Sequence, residues 1–446
     1  MKTMTSPKTK IKSTTVDATI ARLKALGPQL PDKRTGKNCQ YTMSDIVLGA
    51  FSVFFLQCPS FLSRQQALEQ QRGRSNATAL FKMDQIPSDN HIRNMLDPVT
   101  PEYFYPEFRT LLRTVREQGY LDAYRVLDGQ HLLLSLDGTQ YFSSYTIECE
   151  QCSRRKRRNG KVQCYHSAIL PVIVAPGNPH VLAQPPEFIT PQDGTDKQDC
   201  ERAASKRWIT QHAAYYAADN PLLTGDDLYA NQPLCEHILD HHLHFLFGCK
   251  PDSHKTLYAT LEARDDEVAT VIVRKWNGKH SELWTYRYCA DLPLRAGDAA
   301  LLVNWCELHI THAQTGATLY HNSWVTDLDI TADNVADIVV CARAHWKVEN
   351  ENNNVLKTKG YHLEHNFGHG QQYLALTLLT LNLLAFLLHT VMHLSNKIYR
   401  RIRKAVGRRE AFFNDSRALL RYLIFESWAE LLTFMAIALE IIPAPD

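Results

Sequence analysis

The apolar pattern changes its period twice along the chain. From residue 16 to about 126, apolar positions recur at helical spacing. "TMSDIVLGAFSVFFLQ" offers Thr42 or Ser44 as a cap before an apolar run. "CPSFLSRQQALEQQ" restarts a helix after Pro59. "IPSDNHIRNMLD" offers Ser88 or Asp89 as a cap, with Ile92, Met95 and Leu96 on one face. From about 127 the runs shorten. "HLLLSL" is a strand that ends at Asp137, and "YHSAILPVIVAP" and "HVLAQPPEFIT" are two more, parted by the turn signal "GNP". "DCERAASKRWITQHAAYYAA" reads as an amphipathic helix and "PLLTGD" as a fourth strand ending at Asp226. "NQPLCEHILDHHL" is a helix and "HFLFGCK" a fifth strand. Residues 264–330 are rich in Val, Thr, Trp and Tyr and read as a β-rich insertion. Helical spacing returns at Thr331, in "TADNVADIVVCARAHWKVEN".

These changes predict five segments in a mixed α/β chain. Residues 1–126 form an N-terminal helical, DNA-binding region, and 127–263 the first part of a catalytic core. Residues 264–330 are the insertion, 331–395 the second part of the core with the Glu349 helix, and 396–446 a helical tail, basic at its start. The order β-β-β-α-β-α-β-α, strands first and then alternation, is that of an RNase H-like core. In that fold one acid lies on the first strand and another just after the fourth, where Asp137 and Asp226 stand.

Composition narrows the classes. The chain has 446 residues, of which 44% are apolar. That is enough for two or three domains of about 150 residues each. A net charge of +2 excludes a strongly basic footprint overall, so a nucleic-acid surface must come from local clusters. Eleven cysteines, odd in number and scattered, suit a reduced cytoplasmic protein better than a disulfide scaffold. The start "MKTMTSPKTKIKSTT" reads as a short basic arm without a signal sequence. Tyr373 to Leu394 is apolar over a membrane-spanning length. Thr377, Thr380, Asn382, His389, Thr390 and His393 interrupt it on several faces, so a buried core helix is expected and no membrane partner.

The chemistry rests on Asp137, Asp226 and Glu349. Phosphodiester cleavage needs an activated oxygen nucleophile and a stabilised leaving oxygen, and two Mg²⁺ ions (or Mn²⁺) supply both. Hard carboxylate oxygens suit them. Asp137 would bridge the two ions, with Asp226 and Glu349 each holding one. Any one of these acids alone could be a cap or turn residue. Asp227 competes with Asp226, and Glu351 with Glu349.

Other clusters carry weaker signals. Cys149, Cys152, Cys164 and His166 could form a structural Zn²⁺ site, although the second half has unusual spacing and free thiols fit a reduced cytoplasm. Arg154, Arg155, Lys156, Arg157 and Arg158 stand in a loop between the first two strands, where DNA phosphate or solvent would neutralise them. A second basic stretch runs from Lys397 to Arg409. His362, His365 and His369 belong to a loop after the Glu349 helix, with Gly368 and Gly370 making the turn.

The segment around Glu349 carries a resemblance. "RAHWKVEN", followed by "NVLKTKGYHLEHNFGHG", is similar to the C-terminal signature of DDE-class insertion-sequence transposases. Trp346-Lys347-Val348-Glu349 matches the family's Trp-x-(Ile/Val)-Glu core. "GDDLY" resembles its second-acid segment and favours Asp226, and "SLDGTQYFSS" resembles its first. Where relatives carry Tyr and Arg before the Glu, this chain has Ala342 and His345, with Arg343 beside them, and Lys357 lies one residue further on. The resemblance implies a homodimer that binds paired terminal inverted repeats, cleaves at the ends and joins 3′ hydroxyls to target DNA. Arg343, His345 and Lys357 would contact phosphate. A tryptophan of the insertion (Trp276, Trp284, Trp305 or Trp324) would stack on an unpaired base. A nuclease without strand transfer, or a non-catalytic DNA-binding derivative, fits the same residues.

Overall fold

The computed structural model describes residues 14–36, 39–191 and 199–444. Most of the predicted basic arm, residues 1–13, lies outside them. Six helices come first: α1 (Thr15–Leu26), α2 (Met43–Phe55), α3 (Phe61–Glu69), α4 (Gln71–Phe81), α5 (Asp89–Leu96) and α6 (Tyr105–Glu117). Of the two predicted caps, Thr42 caps α2. Its hydroxyl accepts from the Asp45 amide, and the Asp45 carboxylate reaches back to the Thr42 amide. Ser88, not Asp89, caps α5.

A strand-rich stretch follows, formed by β1 (Arg125–Val126), β2 (His131–Ser135), β3 (Gly138–Ser144), β4 (Ser153–Lys156), β5 (Val162–Ile169), β6 (Val172–Ile173), β7 (Leu182–Ala183) and β8 (Glu187–Ile189). It continues through α7 (Glu201–Tyr216), β9 (Pro221–Gly225), α8 (Gln232–Asp240), β10 (His244–Gly248) and α9 (Lys255–Ala263). Next come β11 (Ala269–Trp276), β12 (Ser281–Pro293), β13 (Leu302–His312), β14 (Thr318–Thr326) and α10 (Val335–Arg343). A π-helical turn, Val348–Asn353, leads into α11 (Asn354–Thr358). The chain ends with α12 (Leu374–Ser395), α13 (Lys397–Val406), α14 (Arg409–Tyr422) and α15 (Trp428–Ala438).

The chain divides into two compact units. A helical unit comprises residues 14–118, Ile147–Glu150 and 355–444, and an α/β unit comprises Gly119–Thr146 and Gln151–Asn354. The boundary at 354/355 falls inside the segment 331–395 that the sequence reading keeps together. In the helical unit, α12 is the centre, packed by α1, α2 and α6. It is the one described helix long and apolar enough to cross a membrane, and its most apolar window is wholly buried, as a core helix requires. Its start is fixed by Asp97, whose carboxylate accepts from the amides of Gln371 and Gln372 at 3.1 and 3.0 Å. Gly370, at φ +69°, must be glycine there, because a Cβ would stand 2.1 Å from that carboxylate.

In the α/β unit the main sheet is mixed, in the order β11-β12-β13-β14-β10-β9-β2-β6-β7. Strands β2, β9 and β10 run parallel, and β6, β7 and the insertion pair antiparallel. Every residue of β2 and β9 is buried, as parallel strands covered on both faces demand. The predicted insertion is the antiparallel meander β11–β14, which extends this sheet from the edge of β10. A second sheet holds β3, β5, β4 and β8. The predicted strand 1 is β2, and β3, which follows it into the second sheet, was not predicted; predicted strands 2 and 3 are each broken, into β5/β6 and β7/β8, and in both cases the two pieces join different sheets. The arginine run is only in part the expected loop. Arg154 to Lys156 lie in β4, paired with β5, and Arg157 and Arg158 open the turn that follows.

Candidate active site

Strand register sets the two aspartates side by side. Ser135 on β2 pairs with Thr224 on the parallel β9. Asp137 and Asp226 each follow two residues later, past the same end of the sheet. Asp137 stands in the break between β2 and β3. Its carbonyl accepts from the Leu170 amide at 2.9 Å, and its Oδ2 accepts from Asn353 Nδ2 at 3.0 Å. Burial pushes its carboxyl up to about 7, helped by the negative charges of Glu201, Asp226 and Glu349.

Asp227 and Asp226 have different surroundings. Asp227 is occupied elsewhere: its Oδ1 accepts from the Lys250 amide at 2.6 Å and lies 3.3 Å from His254 Nε2. Among the described residues, Asp226 takes a turn contact alone, from the Leu228 amide at 2.9 Å, and its charge bears on both Asp137 and Glu201. Glu349 is exposed in the π-helical turn and bears on Asp137. A π-helical turn holds about 4.4 residues, so positions four apart stay on one side. Glu349 and Asn353 are so spaced.

Two residues of this site were not predicted. Asn353 is one. Glu201 is the other, the first residue of α7. A Cβ placed on Gly138 would stand 2.3 Å from the Glu201 carboxyl carbon, so the acid sits directly over the residue that follows Asp137. Burial, and then Asp226, raise its carboxyl. The available signal was its place in the first turn of the helix after the third predicted strand. Beside it lies a cavity of about 400 Å³, lined by Gly138, Gln140, Arg155, Tyr165, Glu201 and Arg202.

The expected DNA-contacting residues lie in varied surroundings. Arg155 is held by Gln140 Oε1 at 2.7 Å and Gln163 Oε1 at 2.9 Å, over the Tyr165 ring, while Arg157 shares Gln163. Arg154, Lys156 and Arg158 are exposed. Arg343 stacks against Tyr320 and Trp284, 4.7 and 5.3 Å from their ring centres. His345 is turned to the sheet, with Nδ1 2.7 Å from Ser135 Oγ, and burial lowers its pKa. Lys357, in the helical unit, pairs with Glu364 at 3.1 Å. Of the four tryptophans, Trp305 and Trp324 are core residues and Trp284 lies under Lys275. Trp276 is 66% exposed.

The cysteines and histidines sort by unit. In the α/β unit, Cys152 Sγ and His166 Nε2 are 3.5 Å apart. In the helical unit, Cys149 and His369 bring their ligand atoms within 4.8 Å. Cys164, buried on the same strand as His166, belongs to neither pair. Among the described residues, neither unit by itself assembles the expected tetrahedral set. No family model matches this chain, and no curated protein matches it either.

Proposed function

We propose that the α/β unit is the catalytic module of a DNA transposase that cleaves and joins phosphodiester bonds with two divalent cations. The observation that carries this reading is the collection of carboxylates round Asp137. The charges of Asp226 and Glu349 both bear on Asp137, and among the described residues none of the three pairs with a cationic side chain. Clustered carboxylates without a counter-charge repel one another, and a bound metal relieves that repulsion. Their oxygens are hard donors that fit Mg²⁺ or Mn²⁺. Asp137, Asp226 and Glu349 would hold the ions, which supply Lewis acidity at the scissile phosphate. Asn353 orients Asp137 by its hydrogen bond.

The strand order supports the same reading. Two parallel strands beside β2, with antiparallel β6 and β7 on its other side, follow the plan expected of an RNase H-like core. So do the Trp346–Glu349 motif and the positions of the two aspartates. The basic edge at β4 supports a DNA substrate.

The test uses the full chain, Mg²⁺ and a plasmid carrying the gene with its flanking DNA. Cuts at defined ends, with 3′ ends joined to new DNA, are the expected products. Cleavage without joining would reduce the protein to a nuclease. No Mg²⁺- or Mn²⁺-dependent cleavage by the unaltered protein would sink the reading.

A further inference from the structure

The ten-stranded sheet ends differently on its two sides. On one side β7 is two buried residues. On the other, β11 is an eight-residue edge, with Thr270 and all of residues 272–276 exposed. We infer that β11 is a docking edge for a second copy of this chain. The two β11 strands pair antiparallel about a two-fold axis at Thr270, and one sheet continues through both copies. The inference stands on the sheet alone and does not depend on the catalytic reading above. The resemblance to transposases implies a dimer on paired DNA ends, whereas this contact needs no DNA.

Three observations carry it. The edge is open. β11 pairs with β12 through eight consecutive residues with no shift, and among the described residues no backbone group of 269–276 bonds beyond that ladder. Its outer row of N–H and C=O groups is a template for another strand. The edge is also unguarded. Proteins blunt such edges with proline, a bulge or a charge within the strand. Residues 269–273 have none of these, and Ile272 and Val273 are 63% and 36% exposed. Third, the flanking charges are self-complementary. Asp265 and Glu267 are taken by Arg287 and Arg264, at 3.0 and 2.5 Å, and Lys275 lies over the Trp284 ring. Asp266 and Arg274 are exposed and, among the described residues, join no ion pair. They stand four residues before and four after Thr270. Antiparallel pairing centred there sets Asp266 of each copy opposite Arg274 of the other, Val268 opposite Ile272, and Thr270 opposite itself. Opposite charges and β-branched side chains directly across a strand pair attract. The contact is the same on both copies, so each of these pairs except the central one forms twice. A centre at Val271 would instead set Glu267 opposite Lys275, and both of those are already engaged.

Sedimentation of the DNA-free full chain from about 1 to 100 µM, the range of a small interface, tests this. A monomer–dimer equilibrium is expected. D266R sets two cations across the pair, and T270K sets like charges face to face on the axis. Each is expected to weaken the dimer by about tenfold or more, and the swap D266R/R274D to restore it to within about threefold. All three positions are exposed, and melting by circular dichroism checks that the variants fold. D266R and its swap carry the test if T270K does not fold. A chain that stays monomeric throughout overturns the inference, as does a dimer that a folded D266R or T270K leaves intact. A loss in D266R that the swap fails to restore overturns the pairing about Thr270. Cleavage is not read in this experiment, so failure here leaves the catalytic reading as it stands.

Discussion

In the helical unit, one buried polar network closes on itself. Arg409 Nη1 donates to the Tyr361 hydroxyl at 2.7 Å, Tyr361 lies 2.7 Å from His389 Nδ1, and His389 Nε2 lies 3.0 Å from the Phe55 carbonyl. A carbonyl only accepts, so Nε2 carries the proton and Tyr361 must donate to Nδ1. Burial holds His389 well below the usual histidine range, hence neutral. Asn76 likewise donates to two carbonyls, of Leu420 and Leu423, and accepts from the Phe425 amide. In the α/β unit, Asp137, Glu201, Asp226 and Glu349 gather instead with amide donors and, among the described residues, no cation. Closed networks fix a fold. Open ones, which leave charge uncompensated, mark a place where something else must bind.

The sharpest way to break that contrast is to remove the open charges. Asp137→Ala, Asp226→Ala and Glu349→Ala are each expected to lower Mg²⁺-dependent DNA cleavage by on the order of 10²–10³-fold or more. Asp227→Ala should keep most activity in the same gel assay, because its carboxylate serves the Lys250 amide. If the activities of the Asp226 and Asp227 variants come out reversed, the second ligand is misassigned. The converse change opens a closed network. Tyr361→Phe strips the shared hydroxyl from Arg409 and His389, and is expected to cost about 1–3 kcal/mol of stability by denaturant melting while leaving Mn²⁺ affinity unaltered.

A smaller effect is read from pH. Asp137 keeps its proton to about pH 7 when folded but only to its ordinary 3.8 when unfolded. Between those values the folded chain binds more protons, so metal-free stability should fall as pH rises from about 4 to about 7. His389 works in the other direction. Below its ordinary 6.5 the unfolded chain binds the extra proton, and stability falls as pH drops. Melting in chelator should therefore show Asp137→Asn raising the melting temperature more at pH 8 than at pH 5. An equal gain at both would mean that Asp137 does not carry the strain. The smallest effect is expected at the basic edge. Arg155→Ala should lower the slope of log affinity against log salt for DNA by about one. An unchanged slope would leave Arg155 as a partner of Gln140 and Gln163 only.

Much of this was legible in the chain. The apolar runs at 131–136 and 221–225 gave both central strands, because strands buried on both faces have few polar choices. Thr42 was legible as a cap, since its chemistry is local. The Arg154–Arg158 run was not legible as a strand. Its pairing with β5 is a long-range hydrogen-bonding fact, and charge repulsion suggested a loop. Glu201 was hidden for a related reason. A glutamate opening a helix is favoured there by the helix dipole alone, so its type carries no sign of Gly138 across from it. Asn353 escaped notice because its partner, Asp137, lies 216 positions away in the chain, and an asparagine four residues after an acid carries no local sign of it.

The wide turn at Val348–Asn353 has a further consequence. A π-helical turn amounts to one residue more than an α-helix needs, and here that residue is taken up in the helix itself, beside Glu349. Deleting Glu351 should let the helix tighten while turning Glu349 against Asn353 by only about 30°, so the shortened protein is expected to gain a more regular helix with these two side chains still on one side.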